Sequence, residues 1–177
     1  MSSYRSLYFF VEGPDDERFV RNILKPELQE SYDNIIIWMY ATETNQKNKN
    51  FLQSIRSSGG TVCFLGDINS CPCVTEKKSR ITAEYQFFLS TGSIFVVIQE
   101  IESWYTAGIK ENQYENLHFK PVQNTDDLTK EMFNQKIPKK YQKSRVDFMI
   151  EILKEYSIET AKSKNRSFNY FCTKLAI

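Results

Sequence analysis

Four apolar runs punctuate the N-terminal part of the chain: residues 7–11, 35–40, 61–65 and 93–98. Within each run polar and apolar positions hardly alternate, which predicts strands buried on both faces, as in a parallel sheet. The first run is followed by Gly13 and Pro14, then by Phe19, Val20, Ile23 and Leu24 at helical spacing. That spacing predicts strand, turn and helix, with Asp15, Asp16 and Glu17 suited to the positive end of the helix dipole and Lys25-Pro26 expected to stop it. Residues 41–50 read as a polar loop, 51–57 as a short helix broken at Ser58-Gly59-Gly60, and 78–89 as a helix with Ile81, Tyr85 and Phe88 or Leu89 on one face. From about Ile109 the pattern turns polar and helical, with helices predicted over 126–133 and 145–156 and an apolar stripe of Val146, Met149, Ile150 and Leu153. The prediction is an α/β fold: a mainly parallel, Rossmann-like four-stranded sheet flanked by helices over 1–108, with a helical extension over 109–177 packed on it.

Composition narrows the possible functions. The chain has 177 residues, enough for a sizeable core, and 41% of them are hydrophobic. Lys+Arg 23 against Asp+Glu 22 leaves a net charge of +1, so no bulk basic field attracts nucleic acid and any phosphate-handling surface must be local. Glu12 ends the first apolar run too soon for a signal-peptide core, and no later run reaches membrane-helix length, which predicts a cytoplasmic protein that does not enter a membrane. Cys63, Cys71, Cys73 and Cys172 lack the paired spacing of a zinc site and read as reduced, partly buried thiols.

The chemistry gathers where the apolar runs end. Glu12 follows the first, Asp67 and Asn69 the third, and Glu100 and Glu102 the fourth. The carboxyl edge of a parallel sheet is where ligands bind in open α/β folds. Carboxylates brought together there repel one another, and a cation relieves that repulsion. An oxygen-only ligand set favours Mg²⁺ or Mn²⁺ over zinc. Asp16 lies one helical turn beyond Glu12 and can reach back to it, while Glu100 and Glu102 flank Ile101 and are expected to share one side of a strand.

Val11-Glu12-Gly13-Pro14-Asp15-Asp16, followed by a later strand that ends in Gly66-Asp67-Ile68-Asn69, resembles the TOPRIM domain of topoisomerases, primases and overcoming-lysogenization-defect nucleases. That family carries a glutamate after its first strand and a DxD after a later one; here the second motif is DxN. The rest of the chain resembles small stand-alone bacterial TOPRIM-like proteins of the DUF4276 type, through Cys71-Pro72, the segment from Gln99 to Trp104, the segment from Ile137 to Lys143 and the aromatic tail from Phe168 to Leu175. The resemblance implies a metal-dependent nuclease. It assigns Glu12 as general acid/base or edge ligand and Asp67 as principal metal ligand, with Asn69, Asp16, Glu100 and Glu102 completing the shell of one or two metals. It also implies an antiphage or toxin effector that works with an ATPase partner.

Lys77, Lys78 and Arg80 follow the acidic loop, and Lys78 is read as a catalytic cation that neutralises the scissile phosphate. Lys136, Lys139, Lys140 and Lys143 with Tyr141 form the densest basic segment, a candidate track for a DNA or RNA backbone with Tyr141 as a stacking platform. Trp104 reads as a buried anchor more readily than as a base-stacking residue. The competing reading is a non-catalytic TOPRIM-like module that docks on a partner in a defence or repair complex, and a homo-oligomer is compatible with either.

Overall fold

The computed structural model describes residues 4–85 and 88–177. Four strands form one parallel sheet: β1 (Ser6–Val11), β2 (Asn34–Met39), β3 (Thr61–Asp67) and β4 (Ile94–Val97), in the order β2-β1-β3-β4. Phe10 stands opposite Phe64 on β3 and Trp38 on β2. Glu12, Tyr40 and Asp67 therefore leave the sheet at one carboxyl edge. The predicted fold class is the observed one, and near-continuous burial of Phe9, Phe10, Val11, Cys63, Phe64 and Leu65 is its physical cause.

The chain divides into two compact units, Met1–Val96 and Val97–Ile177. In the first, α3 (Asn45–Ser57) and α4 (Val74–Glu84) bury Leu52, Ile55 and Ile81 in one cluster with Phe10, Phe64, Tyr85, Leu89 and Ile94. Helix α3 starts at Asn45, within the segment expected to be a loop, because the Thr44 side chain caps it by accepting from Lys47 N–H at 3.3 Å. Helix α4 likewise starts at Val74, with the exposed Cys73 as its N-cap, and it ends at Glu84. Gln86 and Phe87, within the helix predicted over 78–89, lie outside the described residues.

Pro26 does not stop the first helix. Helix α1 (Pro14–Phe19) passes into a π-helical turn, Val20–Leu24, in which Lys25 N–H donates to Val20 C=O, and α2 (Lys25–Leu28) follows. The wider turn lets Pro26 stand in a new first turn, where its missing N–H has no bond to lose.

The second unit holds α5 (Ile101–Ala107), α6 (Gln113–Leu117), α7 (Lys130–Lys136), α8 (Arg145–Leu153), α9 (Ile158–Lys164) and α10 (Arg166–Leu175). Helix α5 belongs here rather than with the sheet unit expected over 1–108. Its Trp104 is fully buried, packs on Phe168 and Phe171 at ring distances of 5.0 and 5.2 Å, and donates from Nε1 to Ser167 Oγ at 2.8 Å. The stripe of α8 is Phe148, Met149 and Ile152, while Val146 and Ile150 are 41% and 43% exposed. Among the described residues no helix is long and apolar enough to cross a membrane.

Candidate functional site at the carboxyl edge of the sheet

The first unit gathers its acidic residues at the ends of β1 and β3. Glu12 leaves β1 half-buried, and the Tyr40 hydroxyl, just past β2, donates to its Oε2 at 3.3 Å. Asp16, buried in the first turns of α1, accepts from Gly13 N–H at 3.1 Å, so its carboxylate folds back over the turn after Glu12. Burial raises the Tyr40 phenol far above its ordinary value, and the charges of Glu12, Asp16 and Asp67 raise it further. One hydroxyl thus lies within electrostatic reach of three carboxylates contributed by two strand ends and a helix.

A cavity of about 350 Å³ opens beside this group. Glu12, Asn69 and Lys77 line it together with Tyr40, Phe64 and Tyr85. Asn69 follows β3 in the left-handed region, φ 49°, a conformation that asparagine accepts more readily than most residues. Lys77 runs along α4 past Gly66: a Cβ on that glycine would lie 3.7 Å from the lysine Cε. Asn48 is buried and braces the wall, accepting from Trp38 Nε1 at 2.8 Å and donating to Tyr40 C=O at 2.9 Å. The Tyr85 phenol is pushed up to about 12, chiefly by burial, with the Glu84 charge adding to it and a hydrogen bond with Asn48 opposing it.

The structure thus brings together Glu12, Asp16, Asp67 and Asn69 of the predicted ligand set, and Lys77 of the predicted cations. The Lys78 Nζ donates to Thr91 C=O at 3.0 Å. Arg80 pairs with Glu76 at 2.9 Å on an exposed helix face. Asp15 and Glu17 bind Arg18 and Arg21 along their own helix.

Glu100 and Glu102 do not share the side of a strand. Strand β4 ends at Val97, Gln99 turns the chain with φ 62°, and Glu100 becomes the N-cap of α5. Both carboxylates are engaged within the second unit. Glu100 Oε2 accepts from Lys130 N–H at 2.7 Å, and buried Glu102 pairs with Arg145, whose Nε also donates to Asn134 Oδ1 at 3.0 Å. Burial raises the Glu102 carboxyl above its usual range, opposed by its backbone hydrogen bond and by the charges of Arg145 and Lys130. These acids tie α5 to α7 and α8.

In the basic segment, Tyr141 packs on Phe148 at 5.2 Å, and Lys140 lies 4.8 Å over the Tyr141 ring while its Nζ donates to Asn116 C=O. Lys139 and Lys143 are exposed. Tyr141 is therefore occupied by the α8 core and by Lys140.

Tyr40 and the Asn48–Tyr85 wall have no separate signal in the sequence, where Tyr40 closes an apolar run and Asn48 sits in a polar stretch. An aromatic at a strand end beside three others rich in acids is the one clue available. Among the described residues no three His, Cys, Asp or Glu side chains are close enough to share one ion directly. The donors of the first unit are carboxylate, amide and phenol oxygens, which suits a hard cation that takes one or two carboxylates and keeps several waters. Comparison with family models, with curated proteins and with solved structures returns no match.

Proposed function

We propose that the chain is a Mg²⁺- or Mn²⁺-dependent phosphodiesterase acting on nucleic acid, with its site at the carboxyl edge of the first unit. The observation that carries this reading is the cavity at that edge, lined by Glu12, Asn69 and Lys77, where the Tyr40 hydroxyl donates to Glu12 at 3.3 Å and the charges of Asp16 and Asp67 act on the same phenol. Asp67 and Asn69 would hold the cation, which leaves the Glu12 carboxylate for proton transfer. When bound, the cation supplies Lewis-acid polarisation and a more acidic water.

The residues of the chain do the rest. Glu12 accepts the proton of the water that attacks phosphorus, the P–O bond to the leaving oxygen breaks, and that oxygen takes up a proton from solvent; Tyr40, whose phenol stays protonated, orients the Glu12 carboxylate through its Oε2. Lys77 offsets negative charge on the phosphate as it builds up. The DxN form keeps an oxygen donor at Asn69 while lowering the charge repulsion that a third aspartate would add. A role in defence beside an ATPase partner follows from the TOPRIM resemblance alone, as an analogy of fold.

The test incubates purified protein with plasmid DNA, single-stranded DNA and tRNA in Mg²⁺ or Mn²⁺, and repeats it with Glu12→Gln and Asp67→Asn. Cleavage that both variants abolish supports the site; cleavage equal to wild type in both removes it. Calorimetric titration with Mn²⁺ separates the docking-module reading, which requires no binding at millimolar metal in wild type and in Asp67→Asn alike.

A further inference from the structure

Next to the Glu12 carboxylate the wall of the cavity is aromatic. Tyr40 stacks on Phe64 at 4.6 Å with 22° between the rings, and Tyr85 packs on Phe64 at 5.5 Å. The rim also carries acidic and amide groups: Glu84 Oε1 accepts from Asn45 Nδ2 at 2.8 Å, and Glu43 Oε2 accepts from Lys47 Nζ at 2.6 Å. Each of these two carboxylates has a second oxygen with which to accept a hydrogen bond.

A volume of about 350 Å³ lies at the lower end of small-molecule sites, and it suits one base with its sugar rather than a base pair. A duplex delivers a base into such a recess only after unpairing it, whereas a single strand offers unstacked bases at no such cost. Aromatic rings present a face that any base can stack on, and carboxylates at the base edge accept from exocyclic amines such as N4 of cytosine. A polyphosphate tail is the wrong ligand beside Glu84, whose charge would repel it, while the charge of Glu43 is offset by Lys47.

Resting on the phosphodiesterase reading for the position of the scissile phosphate, we propose that the cavity is a subsite for one unpaired, amine-bearing nucleobase, so that the substrate is single-stranded nucleic acid. The base lies against Tyr40, the one ring of the three that is partly exposed, with its amine toward Glu84, and its phosphate lies toward Lys77 and Glu12.

The experiment uses the full chain in Ca²⁺ and a single-stranded oligonucleotide that contains one 2-aminopurine, whose fluorescence falls on stacking. Four results are expected. The same oligonucleotide in a duplex binds at least tenfold more weakly. Ala41→Trp, which fills the cavity from an exposed lining position, weakens single-strand binding at least tenfold while Mn²⁺ affinity by calorimetry stays within about twofold of wild type. Oligocytidylate competes at least fivefold better than oligothymidylate. Glu84→Ala, an exposed substitution that removes the acceptor and does not depend on Ala41→Trp folding, removes that preference. Duplex binding equal to single-strand binding, unaltered binding by a folded Ala41→Trp, or equal competition by the two oligonucleotides overturns the proposal. Loss of Mn²⁺ binding in wild type with the base effects intact would instead remove the phosphodiesterase reading and leave the base subsite standing.

Discussion

Tyr40 and Glu102 illustrate two ways of keeping a polar group inside this protein. Tyr40 is held neutral: burial and three neighbouring carboxylates make its phenolate unfavourable, so it serves as a fixed donor to Glu12. Glu102 is held by a partner, Arg145, that compensates a carboxylate with 3% side-chain exposure. Removing one member of a buried ion pair leaves the other uncompensated. Arg145→Met is expected to cost about 3 kcal/mol at neutral pH, read by urea denaturation. A raised carboxyl means that the folded state binds the extra proton, so its contribution is full below about pH 4.5 and is lost as pH climbs through the raised value. The gap between Arg145→Met and wild type should therefore shrink at pH 4; an equal gap at pH 4 and pH 7 would show that the lost packing of Arg145 on Phe133, at 5.7 Å, dominates instead. Single residues of this kind were the least legible in the sequence. Glu102 stood beside Glu100 like a metal-ligand pair, and only the fold supplied the arginine that occupies it.

At the scale of elements, helix phase is the sharpest issue. Val146 and Ile150 lie on the exposed side of α8 and Phe148 on the buried side. Phe148→Ala should cost about 3–5 kcal/mol, and Ile150→Ala less than about 0.5; the reverse order in chemical denaturation would restore the phase read from the sequence. Helix α5 ends at Gly108, where an added Cβ would fall within the Tyr156 ring, whose hydroxyl donates to Trp104 C=O at 2.8 Å. Gly108→Ala is therefore expected to destabilise by about 2 kcal/mol, through overpacking rather than backbone strain, since φ there is −79°. Gly108→Ala with Tyr156→Ala, which clears the ring, should then cost no more than Tyr156→Ala alone. Helix α5 was read as a strand end, whereas α1, α3, α4, α7 and α8 were legible from spacing. Their first residues were less so, because caps such as Thr44 and Cys73 act through local side-chain bonds that hydrophobic periodicity does not record.

For the whole molecule, the buried phenols set an alkaline limit. The Tyr40, Tyr85 and Tyr156 phenols are all raised above 10.0, chiefly by burial. Their contribution is complete below pH 10, the value in the unfolded chain, and is lost as pH rises toward the folded values. Each group then removes about 1.4 kcal/mol per pH unit. Stability should fall steeply above pH 10 and more gently in Tyr40→Phe, measured by denaturant midpoints across pH 9–11; parallel curves would mean that Tyr40 ionises as readily folded as unfolded. The near-zero net charge of +1 conceals a local arrangement in which acids surround one hydroxyl while Lys77 is the cation that reaches their cavity. The sequence by itself determined the parallel α/β architecture and the edge where Glu12, Asp67 and Asn69 emerge, because burial on both faces and strand ends are local properties of the chain. Only the tertiary structure decided which polar groups share that edge. Strand order and helix phase turned Tyr40 and Lys77 into the cavity, gave Glu102 to Arg145 and Lys78 to Thr91, and such pairings depend on residues far apart in the chain that no local pattern connects.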